Sequence, residues 1–173
     1  RREASSHEVR VVDALSAISF ELYPGETLAL LGESGCGKSL TALALMRLLP
    51  QQAVMQGGQV LLAGSEPGQR PEDLLRVSEA RMRQIRGNRL AMIFQEPATS
   101  LNPVMRIGEQ IAEVLKLHRA LSASESQPEV LSLLAQVGLP DPERAAAAYP
   151  FELSGGMKQR AMIAMALAGD PAI

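Results

Sequence analysis

The residue types best suited to chemistry lie in one short glycine-rich stretch. Positions 32–39 read Gly-Glu-Ser-Gly-Cys-Gly-Lys-Ser, which fits the phosphate-loop pattern G-x-x-x-x-G-K-[ST]. Its glycines let the backbone turn with positive φ and aim successive N–H groups at an anion. Lys38 would reach the β- and γ-phosphates of a nucleoside triphosphate, and the Ser39 hydroxyl would bind Mg²⁺. The predicted phosphate-binding residues are Gly32, Glu33, Ser34, Gly35, Cys36, Gly37, Lys38, Ser39 and Leu40.

The elements on either side of this loop must hold it in place. The apolar run 27–31 predicts a buried strand that ends at the loop. A helix is predicted from Lys38 to about Leu49, and its positive amino-terminal end would face the same anion. Strand, loop and helix in this order favour a phosphate site over a glycine-rich turn that binds nothing.

A second candidate anion site lies near the end of the sequence. Residues 153–157 read Leu-Ser-Gly-Gly-Met and precede the apolar stretch 161–168, which predicts a helix. Ser154 suits the N-cap of that helix, and Gly155 and Gly156 leave backbone amides uncovered at its start. On its own, this motif fits an ordinary capped helix equally well.

The remaining sequence alternates strands and helices at first and then becomes helical. Gln95 would end the strand 89–94, and Gly138 would end the helix 129–137. Two further strands are predicted at 14–23 and 59–62. Two further helices are predicted at 78–86 and 107–117. The polar stretch 122–127 would separate the helix 107–117 from the helix 129–137.

Composition bounds the class of protein. The 173 residues are 46% hydrophobic and carry a formal net charge of −2, which predicts a soluble globular chain with a sizeable core. No apolar run reaches the roughly 18 residues of a membrane span, so a membrane location would need a partner. The lack of a basic stripe argues against a nucleic-acid partner. One cysteine excludes an internal disulfide and fits a reducing compartment.

The three motifs, in this order, resemble those of the ATP-binding cassette (ABC) ATPases. In that family the Leu-Ser-Gly-Gly signature of one subunit closes over ATP held by the phosphate loop of another, so residues 154–157 would bind the nucleotide in trans. Gln95 occupies the family's Q-loop position. This position implies contact with Mg²⁺ and the attacking water, and a role in coupling the ATPase to a membrane-spanning partner. The resemblance thus implies ATP and Mg²⁺ as cofactors, with Ser39 and Gln95 as metal ligands. It also implies a second ABC ATPase subunit, identical or different, as a partner.

The same resemblance implies an architecture. The expected fold class is α/β, a P-loop NTPase core of ABC type with an antiparallel β portion and an inserted helical subdomain, incomplete at the C-terminus. Residues 1–94 would form the nucleotide-binding core with the phosphate loop. Residues 95–152 would form the Q-loop and helical subdomain, and residues 153–173 the signature motif and the helix returning to the core.

Three stretches resemble the oligopeptide, dipeptide and nickel importer branch of the family. They read Gly-Glu-Ser-Gly at 32–35, Met-Ile-Phe-Gln-Glu-Pro-Ala-Thr-Ser-Leu-Asn-Pro at 92–103 and Tyr-Pro-Phe-Glu-Leu-Ser-Gly-Gly-Met at 149–157. Members of the branch commonly carry methionine after the two glycines, as Met157 does, where most of the family has glutamine. The branch implies an ATP-hydrolysing subunit that energises uptake of oligopeptides or a related small solute such as a dipeptide, nickel or glutathione.

That branch also implies where the protein works and with what partners. It would lie peripherally on the cytoplasmic face of the plasma (inner) membrane and dock on transmembrane permease subunits. An extracytoplasmic solute-binding protein would take part indirectly, and no nucleic acid would bind.

Hydrolysis requires groups that this sequence does not include. In the family, the acidic Walker B residue and the switch histidine follow the motif Gly-Asp-Pro found here at 169–171, and the sequence ends at Ile173. No aromatic residue precedes Phe20, in the region where the family usually stacks a ring on adenine. We therefore expect a fragment that binds ATP but hydrolyses it negligibly on its own.

Two alternatives from other classes stay open at the level of sequence. One is a non-hydrolysing, nucleotide-binding regulatory module. The other is a non-transport ABC ATPase of DNA repair, chromosome structure or translation. The short spacing between motifs, the lack of basic surface and the single cassette disfavour the latter.

Overall fold

The computed structural model describes residues 13–66, 68–96 and 100–173. Residues 1–12 of the predicted core and residues 97–99 of the branch-specific stretch lie outside this range. The helices are α1 (Lys38–Leu45), α2 (Glu79–Ile85), α3 (Ile107–Arg119), α4 (Ala123–Gln136), α5 (Pro142–Ala147) and α6 (Gly155–Leu167), with a 3-10 turn at Pro150–Glu152. The strands are β1 (Leu61–Leu62) and β2 (Glu72–Asp73).

These elements fall into two compact units. One unit ends at Leu75, and the other spans Arg76–Ile173. No helix within the described ranges has the length and apolarity needed to cross a membrane.

The first unit contains α1 and a two-stranded antiparallel sheet. β1 and β2 pair with Leu61 opposite Asp73 and Leu62 opposite Glu72. Leu62 is buried whereas Leu61 is exposed, the alternation expected of a strand with one covered face. The predicted strand 59–62 is therefore confirmed over its last two residues.

Two other predicted strands are wrong, because residues 14–23 and 27–31 form no strand among the described residues. The run 27–31 is not buried either, since Leu31 is 92% exposed. An apolar run indicates what a strand would bury, but a strand also needs a neighbour whose backbone pairs with it. Within the described residues, no backbone hydrogen bond joins 27–31 to another segment.

α1 is shorter than the predicted helix that reached Leu49. It begins at Lys38, as predicted, but ends at Leu45. Arg47 has a φ of 52°, in the left-handed region, where a right-handed helix cannot continue. The chain therefore turns away from the helix axis before Leu49.

The second unit is a set of helices around one apolar core. α3 packs against α4, α5 and α6, and α4 also packs against α5 and α6. α3 shows why: it buries Ile107, Ile111 and Leu115 at intervals of four residues, which makes one apolar stripe. Leu153 is buried in the same core, immediately before α6. The core thus holds the start of α6 in place.

α2 matches its predicted range. It spans Glu79–Ile85, inside the predicted 78–86. The Ser78 hydroxyl accepts a hydrogen bond from the backbone N–H of Arg81 over 3.2 Å, which satisfies one of the free amides at the helix start.

α4 begins at Ala123, earlier than the predicted start at 129. The polar stretch 122–127 was expected to separate two helices, and the structure corrects this because the stretch forms the first turns of α4. The N–H of Ser122 donates to a carboxylate oxygen of Glu125 over 2.9 Å, as in a capping box. The Ser122 hydroxyl also donates to that carboxylate, and this hydrogen bond lowers the pKa of Glu125.

The last residues of the sequence pair with the segment that follows α2. The N–H of Ile173 donates to the Arg89 carbonyl over 3.1 Å, and the N–H of Ala91 donates to the Ile173 carbonyl over 2.8 Å. This alternation is typical of a parallel pair. The predicted strand 89–94 does not form as a regular strand, but its first residues make strand-type hydrogen bonds.

Candidate functional site

The glycine-rich loop ends directly at the start of α1. Gly37 is the N-cap of α1 and has a φ of 94°, a conformation that favours glycine. A Cβ at this position would also overlap a methyl group of Leu15 and lie 3.3 Å from the Ala14 carbonyl. The backbone conformation therefore favours glycine at position 37, and a Cβ there would also displace the Leu15 side chain.

Lys38 folds back over the loop that precedes it. Its ammonium group donates to the carbonyl of Gly32 over 2.7 Å and to the carbonyl of Glu33 over 2.8 Å. The same nitrogen lies 3.4 Å from the Cys36 sulfur. The positive charge is thus held against the loop backbone by two neutral carbonyl acceptors.

The cysteine side chain helps to shape the loop. The N–H of Cys36 donates to the Glu33 carbonyl over 3.3 Å and closes a tight turn. A Cβ at Gly32 would overlap the Cys36 sulfur, so the first glycine of the motif makes room for this side chain. Cys36 itself is exposed.

The first turn of α1 carries the remaining polar groups of the motif. Ser39 is exposed there, so its hydroxyl is available to a metal ion. Thr41 donates through both its backbone N–H (2.9 Å) and its hydroxyl (3.1 Å) to the Gly37 carbonyl, which holds the first turn on the loop. In the part of the chain that the structure describes, no cluster of three or more His, Cys, Asp or Glu residues could hold a metal ion.

A separate cleft in the first unit does not contain the phosphate loop. It encloses about 410 Å³ and none of its lining residues belongs to 32–40. The lining residues are Arg47, Leu49, Ala53, Met55, Gly57, Gly58 and Leu75.

In the second unit, α6 begins with the signature motif. The Ser154 hydroxyl accepts a hydrogen bond from the N–H of Met157 over 3.3 Å, so the predicted N-cap is present. Gly155 and Gly156 are both exposed, and a Cβ on either would meet no atom outside the adjoining residues and the helix's own backbone. Their backbone N–H groups lie at the positive end of a helix of 13 residues, where an anion could bind. Met157 packs partly against the helical core.

The segment before the signature is fixed by aromatic and polar contacts. The rings of Tyr149 and Phe151 stack with centroids 5.5 Å apart, and the Arg106 guanidinium lies 5.7 Å from the centroid of the Tyr149 ring. The N–H of Tyr149 donates to the Glu152 carboxylate over 2.7 Å. These contacts hold the chain in one conformation just before Ser154.

Arg160 on α6 is a positioning residue that sequence reasoning missed. Its guanidinium donates to the carbonyl of Gly138, one residue beyond the C-cap of α4. Gly138 has a φ of 76°, and a Cβ there would lie 2.9 Å from the guanidinium. Since helix carboxyl ends attract cations, Arg160 ties the signature helix to the end of α4. No sequence signal pairs these two positions, which lie 22 residues apart.

Gln95 lies in an exposed bend after the residues that pair with Ile173. It belongs to the second unit, together with the signature, whereas the phosphate loop belongs to the first.

The loop and helix that carry Lys38 and Ser39, in an α/β chain, define the P-loop NTPase class. Residues 15–173 match the ABC transporter family. The chain belongs to this family.

Relatives of assigned function are similar over nearly the whole sequence. The chain is 49% identical to the probable peptide ABC transporter ATP-binding protein y4tR of Sinorhizobium fredii, covering 98% of this chain and 50% of that protein. It is 50% identical to the glutathione import ATP-binding protein GsiA of Salmonella typhimurium, covering 98% of this chain and 27% of that protein. The chain therefore spans about half, or less, of the length of these curated relatives.

The fold resembles that of solved ABC cassettes. The dimeric post-hydrolysis structure of the ATP-binding cassette MJ0796, bound to ADP and Pi, aligns with a TM-score of 0.72 at 27% identity. The alignment covers 88% of this chain and 60% of that one. The predicted fold class is thereby confirmed.

Proposed function

We propose that this chain is the ATP-binding part of an ABC importer subunit, and that the whole protein hydrolyses ATP to energise uptake of peptides or a related small solute such as glutathione. The relatives support this proposal, since one is named as a peptide transporter component and another as a glutathione importer component. The observation that carries it is the position of Lys38, whose ammonium is held over the glycine loop by the carbonyls of Gly32 and Glu33.

ATP would bind with its phosphates on the loop and the first turn of α1. The open N–H groups of the loop and the helix end supply partial positive charge. Lys38 would exchange hydrogen bonds to its neutral carbonyl acceptors for charged phosphate oxygens, and such charge-assisted hydrogen bonds are stronger. The Ser39 hydroxyl would hold Mg²⁺, which when bound neutralises charge on the β- and γ-phosphates.

Two subunits would share each nucleotide. Ser154 already accepts from the N–H of Met157, which leaves the exposed N–H groups of Gly155 and Gly156 for a phosphate held by another chain. The MJ0796 cassette is described as dimeric, which supports a second ABC ATPase subunit as the partner here. Residues 154–157 would then contact the nucleotide in trans.

Gln95 would connect nucleotide state to the membrane partner. We propose the division into a core (1–94), a Q-loop and helical subdomain (95–152) and a signature segment (153–173), with Gln95 at the first boundary. Gln95 would contact Mg²⁺ and the attacking water, while the helical subdomain docks on transmembrane permease subunits. The protein would therefore work peripherally at the cytoplasmic face of the inner membrane, and a solute-binding protein would deliver the solute from outside.

The proposal is tested on the full-length protein assembled with its permease in vesicles. We expect ATP-driven uptake of a peptide or glutathione by the parent protein, and loss of both uptake and ATP hydrolysis in Lys38→Ala. Gln95→Ala should keep ATP binding within about threefold while uptake is lost, because Gln95 does not hold the phosphates. Arg83→Ala, at an exposed arginine on α2 and outside the docking subdomain, is the control. Hydrolysis that is equal in the parent and Lys38→Ala would contradict the proposal.

A further inference from the structure

The cleft in the first unit has the size and lining of a small-molecule site. It encloses about 410 Å³, within the range of roughly 300–1,000 Å³ that is typical of ligand pockets. Its apolar lining includes Leu49, Met55 and Leu75. Among the described residues that line the cleft, only Arg47 is charged and none is aromatic. The lining therefore suits an aliphatic group with one negative charge, and it offers no ring on which a nucleobase could stack.

Arg47 lies at a backbone position where glycine is usual. It follows Met46, the C-cap of α1, and has a φ of 52°. The N–H of Arg47 donates to the Ala44 carbonyl over 3.0 Å, and the N–H of Leu48 donates to the Leu43 carbonyl over 2.8 Å. These are the hydrogen bonds of a Schellman motif, whose left-handed residue is most often glycine. Because this conformation disfavours a side chain, an arginine here points to a role for its guanidinium.

The Arg47 guanidinium is anchored beside the cleft. It donates to the carbonyl of Leu74 over 3.3 Å. Leu74 is buried, and its own N–H donates to the Val60 carbonyl over 2.7 Å. A guanidinium presents five N–H donors in a planar fork, so it can hold this carbonyl and a carboxylate at the same time. The lining of the cleft thus contains a cation in a defined position.

Gly57 and Gly58 add exposed backbone to the lining. Both residues are exposed, and a Cβ on either would meet no atom outside the adjoining residues. Within the described part of the chain, no backbone–backbone hydrogen bond uses the N–H or the carbonyl of either glycine. Exposed backbone groups of this kind can pair with a peptide group of a ligand, as those of a strand edge do.

We propose that this cleft binds the carboxyl-terminal residue of a short peptide whose last side chain is aliphatic. The carboxylate would pair with Arg47, and the side chain would pack on the apolar lining. The last peptide group would form hydrogen bonds with the backbone of Gly57 or Gly58. This inference goes beyond the proposed function, because the cleft shares no residue with the phosphate loop and its ligand does not require ATP.

Ligand-observed NMR titrations of the full-length protein test the site. The probe is N-acetyl-leucine, for which we expect a Kd of roughly 0.05–2 mM. N-acetyl-leucinamide lacks the charge and should bind about 5–20-fold more weakly. N-acetylglycine lacks the aliphatic side chain and should bind at least about fivefold more weakly. 4-Methylpentanoate lacks the peptide group and should bind at least about threefold more weakly.

Four variants assign these preferences to the cleft. Arg47→Asn removes the guanidinium but keeps a residue that tolerates the left-handed conformation, and it should bind the acid and the amide equally. Arg70→Asn, at an exposed arginine of the same unit outside the cleft lining, is the matched control. Met55→Gln should weaken N-acetyl-leucine by about 2–10-fold and keep the preference for the acid. Lys38→Ala should bind the probe as the parent does, so failure of the nucleotide site is distinguishable.

Several results would overturn the proposal. Two are equal affinity of the parent for the acid and the amide, and no binding of N-acetyl-leucine up to about 10 mM. A preference for the acid that survives in Arg47→Asn would show that another group binds the carboxylate. Equal affinity for N-acetyl-leucine and 4-methylpentanoate would contradict the role of the two glycines. Should Arg47→Asn fold poorly by circular dichroism, Met55→Gln and the acid–amide comparison in the parent decide the question.

Discussion

Gly169 lies directly against the backbone of Gly87. A Cβ at position 169 would overlap the Gly87 carbonyl oxygen and lie 2.7 Å from the Gly87 carbonyl carbon. The contact brings the end of α6 onto the turn after α2, next to the point where Ala172 and Ile173 pair with Arg89. The close approach of these two glycines thus sets the position of that pairing.

Substitution of Gly169 tests this contact. We expect Gly169→Ala to destabilise the second unit by about 1–3 kcal/mol, because the obstacle is backbone and cannot rotate away. Equilibrium denaturation in urea, followed by circular dichroism, would measure the loss. Gly155→Ala is the control, since nothing lies within 4 Å of a Cβ there. The contact would not be as close as described if both variants had the stability of the parent.

His118 lies on the other side of the same turn. A Cβ on Gly87 would be 2.7 Å from its Nε2 atom, and partial burial lowers the pKa of His118. The folded state then binds its proton less readily than the unfolded state. The free energy of unfolding is therefore highest above the pKa of His118 in the unfolded state, near 6.5. It decreases as the pH falls through that value toward the lower pKa of the folded state.

We therefore expect the urea midpoint of the parent protein to be lower at pH 5.5 than at pH 7.5. In His118→Gln, which cannot titrate, that part of the decrease should be absent. Denaturation curves at several pH values measure both slopes. Identical slopes in the parent and the variant would show that burial of His118 is not responsible.

The link between α6 and α4 through Arg160 gives another prediction. Arg160→Ala removes the donor to the Gly138 carbonyl and should lower stability by about 1–2 kcal/mol. Arg160→Lys keeps the charge near the helix end and should recover part of this loss. The melting temperatures of the three proteins provide the measurement. A lysine variant less stable than the alanine variant would contradict the electrostatic part of the argument.

Local signals explain what could be predicted from the sequence. The phosphate loop, the Ser154 cap and α2 depend on residues within one or two turns of each other, so their spacing is sufficient. The start of α4 was predicted too late although its signal was present, because Ser122 and Glu125 have the spacing of a capping box.

Contacts between distant residues explain what could not be predicted. The run 27–31 has the composition of a buried strand, but composition does not reveal whether another segment pairs with it. The Gln110 side chain on α3 donates to the carbonyls of Asn102 and Met105, which depends on how the loop 102–106 turns back onto that helix. The Arg160 contact joins two different helices. Neither glutamine nor arginine at a single position indicates such a partner.

The proposed function depends first on binding of MgATP by Lys38 and its glycine loop. Titration calorimetry of the protein with MgATP tests this most directly, with Lys38→Ala as the variant and Lys116→Ala as the control. We expect saturable binding by the parent and the control, and affinity weakened about 10–100-fold in Lys38→Ala, since charged hydrogen bonds to phosphate are lost. Equal affinity in the parent and a folded Lys38→Ala protein would contradict the account.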